Sequence, residues 1–203
     1  MGKRIFDYVI ALCGIFFAFP LWCVICWAIW LQDGSPVLYC QQRSGWRGVI
    51  FNSFKFRSMI KGAEEKTGPV QATENDPRVT TIGVFLRRSA LDELPQLFNI
   101  LKGQMSFVGP RPLRPQEIEV SGMLNEQSPQ DSLFTLRLQV RPGLTGVAQL
   151  YAPRALTRKK KARYDIWYIR NRSLCLDVVL MLRSVWISIR RRWDTVRRPG
   201  RAF

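Results

Sequence analysis

Between Asp7 and Asp33 the chain carries no charge, and Tyr8 to Gln32 reads YVIALCGIFFAFPLWCVICWAIWLQ. Wound as one α-helix this run would be about 37 Å long, enough to cross a hydrocarbon core of about 30 Å. Pro20 falls in its middle. A proline there removes an intrahelical hydrogen bond and clashes with the preceding turn, so the reading divides the run into two arms of about 12 residues, each about 18 Å long. Neither arm spans a bilayer alone. Two topologies follow: a kinked crossing, or a re-entrant helix that returns to the face it entered. The run is too long for the apolar part of a signal peptide, and Gln32-Asp33-Gly34-Ser35-Pro36 offers no small-x-small cleavage site. Lys3 and Arg4 place the first end on the cytoplasmic side. The basic body beyond residue 40 favours that side too, and only the re-entrant form satisfies both.

That body is basic enough to define its partners. Against 15 acids the chain sets 31 Lys and Arg, a net charge of +16, which calls for nucleic acid, acidic lipid or a phosphorylated substrate. Seven Trp and twelve Phe favour the membrane interface among these, with anionic lipids as partners and no nucleic acid expected. There is no histidine. Ser-His and Cys-His catalysis and His-bearing zinc sites are thereby excluded, acid–base work falls to Asp or Glu, and a metal would be a hard, oxygen-bound cation such as Mg²⁺. Of the five cysteines, Cys13, Cys23 and Cys26 lie inside the apolar run, so Cys23-x-x-Cys26 reads as small apolar packing rather than a redox pair.

Along the rest of the chain, Val37–Gln41 and Val49–Phe56 are β-prone runs around Ser44-Gly45-Trp46-Arg47-Gly48, a hairpin pattern. Lys61 to Asp76 reads as a surface loop. Residues 81 to 103 carry a helix in which Ser89 caps a segment starting near Asp92, since Pro95 is tolerable only close to a helix start. This puts Asp92 and Glu93 at a helix N-terminus, where the positive end of the dipole keeps a carboxylate ionised for service as nucleophile or metal ligand. Ordinary capping is the structural alternative, because acids enrich first turns anyway. Gly109-Pro110-Arg111-Pro112-Leu113-Arg114-Pro115 and Arg141-Pro142-Gly143-Leu144-Thr145-Gly146 are stiff segments that present arginines. Arg154 to Arg163 is a basic patch. Leu174 to Trp193 is apolar but interrupted by Asp177 and Arg183, with Trp186, Ile189 and Trp193 along one side and Arg190, Arg191 and Arg192 beside them, the pattern of a helix lying in the interface.

Several ordered motifs add a resemblance. Lys3-Arg4-x-x-Asp7, Gly34-Ser35-Pro36-Val37, Lys55-Phe56-Arg57-Ser58-Met59, Asn75-Asp76-Pro77-Arg78-Val79-Thr80, Leu91-Asp92-Glu93-Leu94-Pro95-Gln96-Leu97, Met105-Ser106-Phe107-Val108-Gly109-Pro110-Arg111-Pro112 and Arg141-Pro142-Gly143-Leu144-Thr145-Gly146 follow one another. Over nearly its whole length the chain resembles the bacterial sugar transferases, small monotopic polyprenyl-phosphate phosphoglycosyl transferases. The resemblance implies transfer of a sugar 1-phosphate from a UDP-sugar to polyprenyl (undecaprenyl) phosphate, with release of UMP, through a phosphosugar carried on Asp92. It implies Glu93 as the second acid, either holding the cation or acting on the acceptor phosphate, and Mg²⁺ as cofactor beside Asp92. It further implies phosphate or nucleotide contacts from Arg87, Arg111 and Arg141, and a place at the cytoplasmic face of the bacterial inner membrane. The family commonly has serine before the helix-breaking proline, whereas here Phe19 precedes Pro20. No long multi-span region precedes the motifs, which fits the minimal form of the family.

The expected architecture is α+β and mostly helical: a re-entrant, Pro-broken membrane helix over 1–33, then a cytoplasmic catalytic domain over 34–203 with a short β-hairpin and interfacial amphipathic helices. Two other functions fit parts of the sequence. One is a membrane-anchored binding module for anionic lipid or nucleic acid, in which the Asp92–Glu93 pair only caps a helix; the other is a transferase that moves the sugar without its phosphate.

Overall fold

The computed structural model of the chain describes residues 2–65, 68, 76–115, 129–153, 156–190 and 193, with only the backbone described for 129–132. Asn75, Arg154, Arg191 and Arg192, with the remainder of 66–75 apart from Gly68 and all of 116–128, lie outside the described residues.

Helix α1 is Gly2–Asp33, and Pro20 lies inside it without ending it. The helix has two packing halves, one on either side of Pro20. In the first half Ala11 and Ile15 pack with Leu97, Ile100 and Met105. In the second, Trp22, Ile25 and Ile29 pack with Phe56 and Leu86, and Trp22 meets the Phe56 and Phe98 rings edge-on at 5.9 and 5.2 Å. Pro20 costs the helix one hydrogen bond, and packing on either side of it supplies compensating contacts.

Both ends of α1 are tied to the same body. At the start, Lys3 Nζ lies 2.5 Å from Asp177 Oδ2, Arg4 donates to the Ile100 and Met105 carbonyls at 3.0 and 3.2 Å, and the Asp7 carboxylate accepts from Phe107 N–H at 3.2 Å. At the finish, Gly34 takes the left-handed conformation that closes a helix, its N–H donating to the Trp30 carbonyl at 2.9 Å. The Arg57 guanidinium there binds the Asp33 and Gly34 carbonyls at 3.0 and 2.7 Å, together with the Pro36 carbonyl and the Asp33 carboxylate.

Strands β1 (Leu38–Ser44) and β2 (Ile50–Phe56) pair antiparallel from Leu38↔Phe56 to Ser44↔Ile50, joined by the glycine-containing loop that the sequence marks. Next, α2 (Thr81–Ser89) starts at Thr80, whose hydroxyl accepts from Gly83 N–H, and ends at Ala90 in the left-handed region at φ 56°. A 3₁₀ turn, Leu91–Glu93, leads through Pro95 into α3 (Gln96–Leu101). This corrects the helix start expected at Asp92 within 81–103. Ser89 caps nothing: its hydroxyl donates back to the Phe85 and Leu86 carbonyls at 2.8 and 3.2 Å. The acids occupy a tight turn between two helices, because Ala90 unwinds the first and Pro95, which has no N–H to give, can only open the second.

A second small sheet was not legible in advance. Strand β3 (Ser106–Val108) pairs parallel with β4 (Gly143–Thr145), and the two stiff segments meet backbone to backbone. A Cβ on Gly143 would stand 2.1 Å from the Gly109 nitrogen and one on Gly109 2.4 Å from the Arg141 carbonyl oxygen, so the crossing admits only glycine. Helices α4 (Pro129–Leu138), α5 (Val147–Tyr151), α6 (Arg158–Asn171) and α7 (Leu174–Ile189) complete the fold. Helix α7 packs Leu180 and Ile187 on Val108, Val147, Leu150 and Tyr168 and leaves Val178, Leu182, Val185, Trp186 and Ile189 exposed. Asp177, which interrupts its apolar run, is buried where it joins Lys3 and accepts from the Tyr168 hydroxyl at 2.6 Å. The outer face of α1 is apolar and exposed too, from Ile5 through Phe16 and Phe17 to Trp27 and Trp30. A chain that leaves this much aromatic and aliphatic surface uncovered on two helices has a surface suited to lipid.

Candidate active site

The turn that carries Asp92 and Glu93 is pressed against β2 by Asn99 of α3. Its side-chain oxygen accepts from Phe54 N–H at 3.1 Å, and its nitrogen donates to the Asn52 carbonyl at 2.7 Å. Alternation along β2 then directs Lys55 to the acids while Phe56 faces the core. Lys55 Nζ lies 2.5 Å from Glu93 Oε1 and 4.0 Å from Asp92 Oδ2. From the other side Arg111 Nη2 reaches to 3.6 Å from the same Glu93 oxygen. Arg111 follows the glycine crossing, and its carbonyl accepts from Arg137 Nη2 at 2.9 Å. Arg137 in turn donates from Nε to Asp165 at 2.8 Å, an ion pair buried on both sides.

These side chains line a cavity of about 1150 Å³. Arg87 from the last turn of α2 enters it, as do Arg114, Arg158 and Lys161. The opposite character appears where Ile10 and Gly14 of α1 and Met181 and Val185 of α7 reach the same space. One wall, formed by β4 and α5, holds the Thr145 hydroxyl and both polar atoms of the Gln149 side chain buried without a hydrogen-bond partner among the described residues.

Cationic side chains around two acids, in a cavity that apolar side chains also line, are shared chemistry rather than a signature. Sequence similarity decides the family. A family model described as bacterial sugar transferase matches residues 1–191. The chain belongs to the bacterial sugar transferase family.

Among its relatives this sugar transferase is 39% identical over 190 residues to an undecaprenyl-phosphate glucose phosphotransferase of Komagataeibacter xylinus, covering 91% of the chain and 35% of the relative. It is 34% identical over 203 residues to an undecaprenyl-phosphate galactose phosphotransferase of Salmonella typhimurium, covering 93% and 40%. Against the exopolysaccharide production protein ExoY of Rhizobium meliloti it is 35% identical over 199 residues, covering 91% of the chain and 84% of the relative. The chain thus spans well under half the length of the first two and most of the third.

Of the residues singled out in the sequence, the sugar transferase fold brings Asp92, Glu93, Arg87 and Arg111 to one cavity. It does not bring Arg141 there: Nε donates to the Gly103 carbonyl at 2.8 Å and the guanidinium lies 4.6 Å from the centre of the Trp46 ring, so this arginine braces the turn after α3. Pro20 stays within α1, away from the cavity wall. Lys55, Arg137 and Asp165 were given no role in advance. Lys55 stands inside the motif Lys55-Phe56-Arg57-Ser58-Met59, whereas the Arg137–Asp165 pair joins residues far apart in sequence and left no local signal.

Electrostatics separate the two acids. Burial pushes the Asp92 carboxyl up to about 6 despite the pull of Lys55, with the neighbouring Glu93 charge adding to the rise. Burial would raise Glu93 as well, but Lys55 and Arg111 outweigh it and hold that carboxyl down at about 2. Glu93 is the permanent anion and Asp92 the acid that changes state near neutrality. The setting is a short, desolvated 3₁₀ turn rather than a helix start, so burial raises the Asp92 carboxyl where a helix dipole would have lowered it.

Proposed function

We propose that the chain is a phosphoglycosyl transferase that moves a sugar 1-phosphate from a UDP-sugar to polyprenyl phosphate and releases UMP. The observation that carries the reading is the graded pair Asp92–Glu93, buried between Lys55 and Arg111 in a cavity that is cationic at one end and apolar at the other. In the first step an Asp92 carboxylate oxygen forms a bond to the sugar-bearing phosphorus of the donor. The bond from that phosphorus to the bridging oxygen breaks, and UMP leaves with the bridging oxygen and the electron pair. In the second step a phosphate oxygen of the acceptor attacks the same phosphorus and Asp92 departs as carboxylate, leaving a polyprenyl diphosphate sugar. No proton need change hands at neutral pH, which suits a site without histidine.

Each side chain has a task in this scheme. Lys55 and Arg111 hold Glu93 as a fixed negative charge and, with Arg87, offer N–H donors to the diphosphate. The buried Asp92 is ionised at pH 7 yet less tightly solvated than a surface carboxylate, which favours attack. The donor set also suits Mg²⁺. No cluster of three or more Cys, Asp or Glu exists among the described residues, and Mg²⁺ needs only one or two carboxylates, completing its shell with water and phosphate oxygens. Asp92 would hold it, with Glu93 adjacent, and when bound it would neutralise charge on the diphosphate.

The re-entrant topology gains support from the two ends of α1. With Lys3 and Arg4 tied at one end and Asp33 at the other to a single globular body, both ends belong on one side of a membrane. The positive charge near Lys3 makes that the cytoplasmic side of the inner membrane, with anionic headgroups beneath the basic body. The test is the nucleotide released when the chain, UDP-sugar and polyprenyl phosphate are incubated together: UMP is expected, and UDP would mean that the sugar moves without its phosphate.

A further inference from the structure

One wall of the cavity holds three polar groups that neither the acids nor the ion pairs engage. Thr145 ends β4 and is 4% exposed, and Gln149 follows four residues later in α5. The Thr145 hydroxyl and both ends of the Gln149 amide are buried with no hydrogen-bond partner among the described residues. Polar groups in that condition weaken a fold, so three of them at one place call for a use. A Cβ on Gly146 would come 2.8 Å from Gln149 Oε1, so the amide lies folded back over the residue next to Thr145. The three groups are thereby gathered together.

Their chemistry narrows the ligand. A neutral amide and a hydroxyl, desolvated, suit an uncharged part of a molecule, whereas phosphates fall to the arginines. Backbone pairing sets the reach. Gly109 N–H donates to the Thr145 carbonyl at 3.0 Å, and Arg111 follows Gly109 by two residues, at most about 7 Å along the chain. Thr145, Gln149, Arg111 and Asp92 all line the one cavity. A group seated at Thr145 and Gln149 is therefore placed to be one end of a molecule whose phosphates lie against Arg111.

We propose that Thr145 and Gln149 read the uracil ring of the nucleoside diphosphate donor. The inference rests on the phosphoglycosyl transfer proposed above and adds how the nucleotide is recognised. The imide edge of uracil runs acceptor, donor, acceptor through O2, N3–H and O4. The wall supplies the complement: the Thr145 hydroxyl donates to O2, Gln149 Oε1 accepts from N3–H, and Gln149 Nε2 donates to O4. Each buried group gains a partner. Ala148 and Ala152, which line the cavity beside Gln149, leave room for a flat ring. The hydroxyls of a sugar project at different angles from a puckered ring and do not present three groups in one plane.

Binding of UDP tests the assignment without turnover, so it reads separately from the transfer scheme, which stands or falls on UMP release. The full chain in mixed micelles is titrated with UDP and with UDP methylated at uracil N3, which has no N3–H to donate and sets a methyl against Gln149 Oε1. The unaltered chain should bind the methylated nucleotide about tenfold or more less tightly, because the amide oxygen is left crowded and unpaired. Gln149→Met should weaken UDP to a similar degree yet bind the two nucleotides within about twofold of each other, an indifference that loss of a merely structural glutamine would not produce. Thr145→Val should weaken UDP and Thr145→Ser restore it. No penalty for N3 methylation in the unaltered chain overturns the assignment, as does an equal penalty in Gln149→Met. UDP affinity unchanged in both Gln149→Met and Thr145→Val overturns it as well.

Discussion

Lys55 Nζ sits 2.5 Å from Glu93 Oε1 but 4.0 Å from Asp92 Oδ2, so one lysine neutralises the second acid and only tempers the first. The difference leaves Asp92 as the group whose charge varies with pH. The donor half-reaction should therefore rise through pH about 6 and level above it, a limb set by Asp92 well above the ordinary carboxylate range. Lys55 pulls the Asp92 carboxyl down, so Lys55→Met should move the limb to higher pH. Single-turnover UMP release against pH reads both; a limb that stays in place in Lys55→Met would detach the lysine from Asp92.

Asp92 also bears on stability. A carboxyl whose pKa is raised by folding, here from 3.8 to about 6, contributes stability that is complete below the unfolded value and lost as pH rises through the folded one. Asp92→Asn should accordingly be the more stable protein at pH 7.5, by about 1–3 kcal/mol, with the advantage fading toward pH 4. Thermal unfolding of both proteins across that range measures it, and an Asn variant less stable at pH 7.5 would refute the desolvation argument.

The buried Arg137–Asp165 pair fixes Arg111 through its backbone carbonyl. Arg137→Met removes one member and strands the other, a change that costs about 3–5 kcal/mol at buried sites. Arg137→Lys keeps the charge but not the two-armed geometry, and should raise the KM for UDP-sugar more than it lowers stability. Chemical denaturation with donor kinetics separates these. Equal and small effects on both would leave the pair a packing feature only.

Backbone contact between the two stiff segments allows a sharper test. Gly143→Ala would set a Cβ 2.1 Å from the Gly109 nitrogen, a clash no rotamer relieves. Loss of the folded protein is expected, read as failure to recover a cooperative unfolding transition, whereas a well-folded Gly143→Ala would show that the crossing is looser than the geometry states.

How far the sequence anticipated this follows from the range of the interactions. The hairpin, the uncharged helix and the exposed stripe on α7 are written in local periodicity and were legible. Asp92 and Glu93 were found by their setting in an ordered motif, but their turn was read as a helix start, since Ser89-x-x-Asp92 resembles a cap and nothing local reveals that Ala90 takes a left-handed conformation. Arg141 and Arg111 each stand in a proline- and glycine-bearing segment, and nothing local to either says where its side chain goes. Only the β3–β4 pairing, a contact between distant stretches, sends one into the cavity and the other onto Gly103 and Trp46. Arg137 and Asp165 were silent for the same reason.

The topology of α1 can be read by labelling. Cysteines placed at Gly2 and at Ser35 should both resist an impermeant reagent applied from outside the inner membrane and react once the cytoplasmic side is opened; reaction of Ser35→Cys from outside would mean that the helix crosses.

The most direct measurement is the intact mass of the chain after exposure to its UDP-sugar donor with the acceptor withheld, followed by peptide mapping. A phosphosugar on Asp92, absent in Asp92→Asn and discharged when polyprenyl phosphate is added, is the predicted result. Transfer to polyprenyl phosphate by a chain that never carries such an adduct would contradict it.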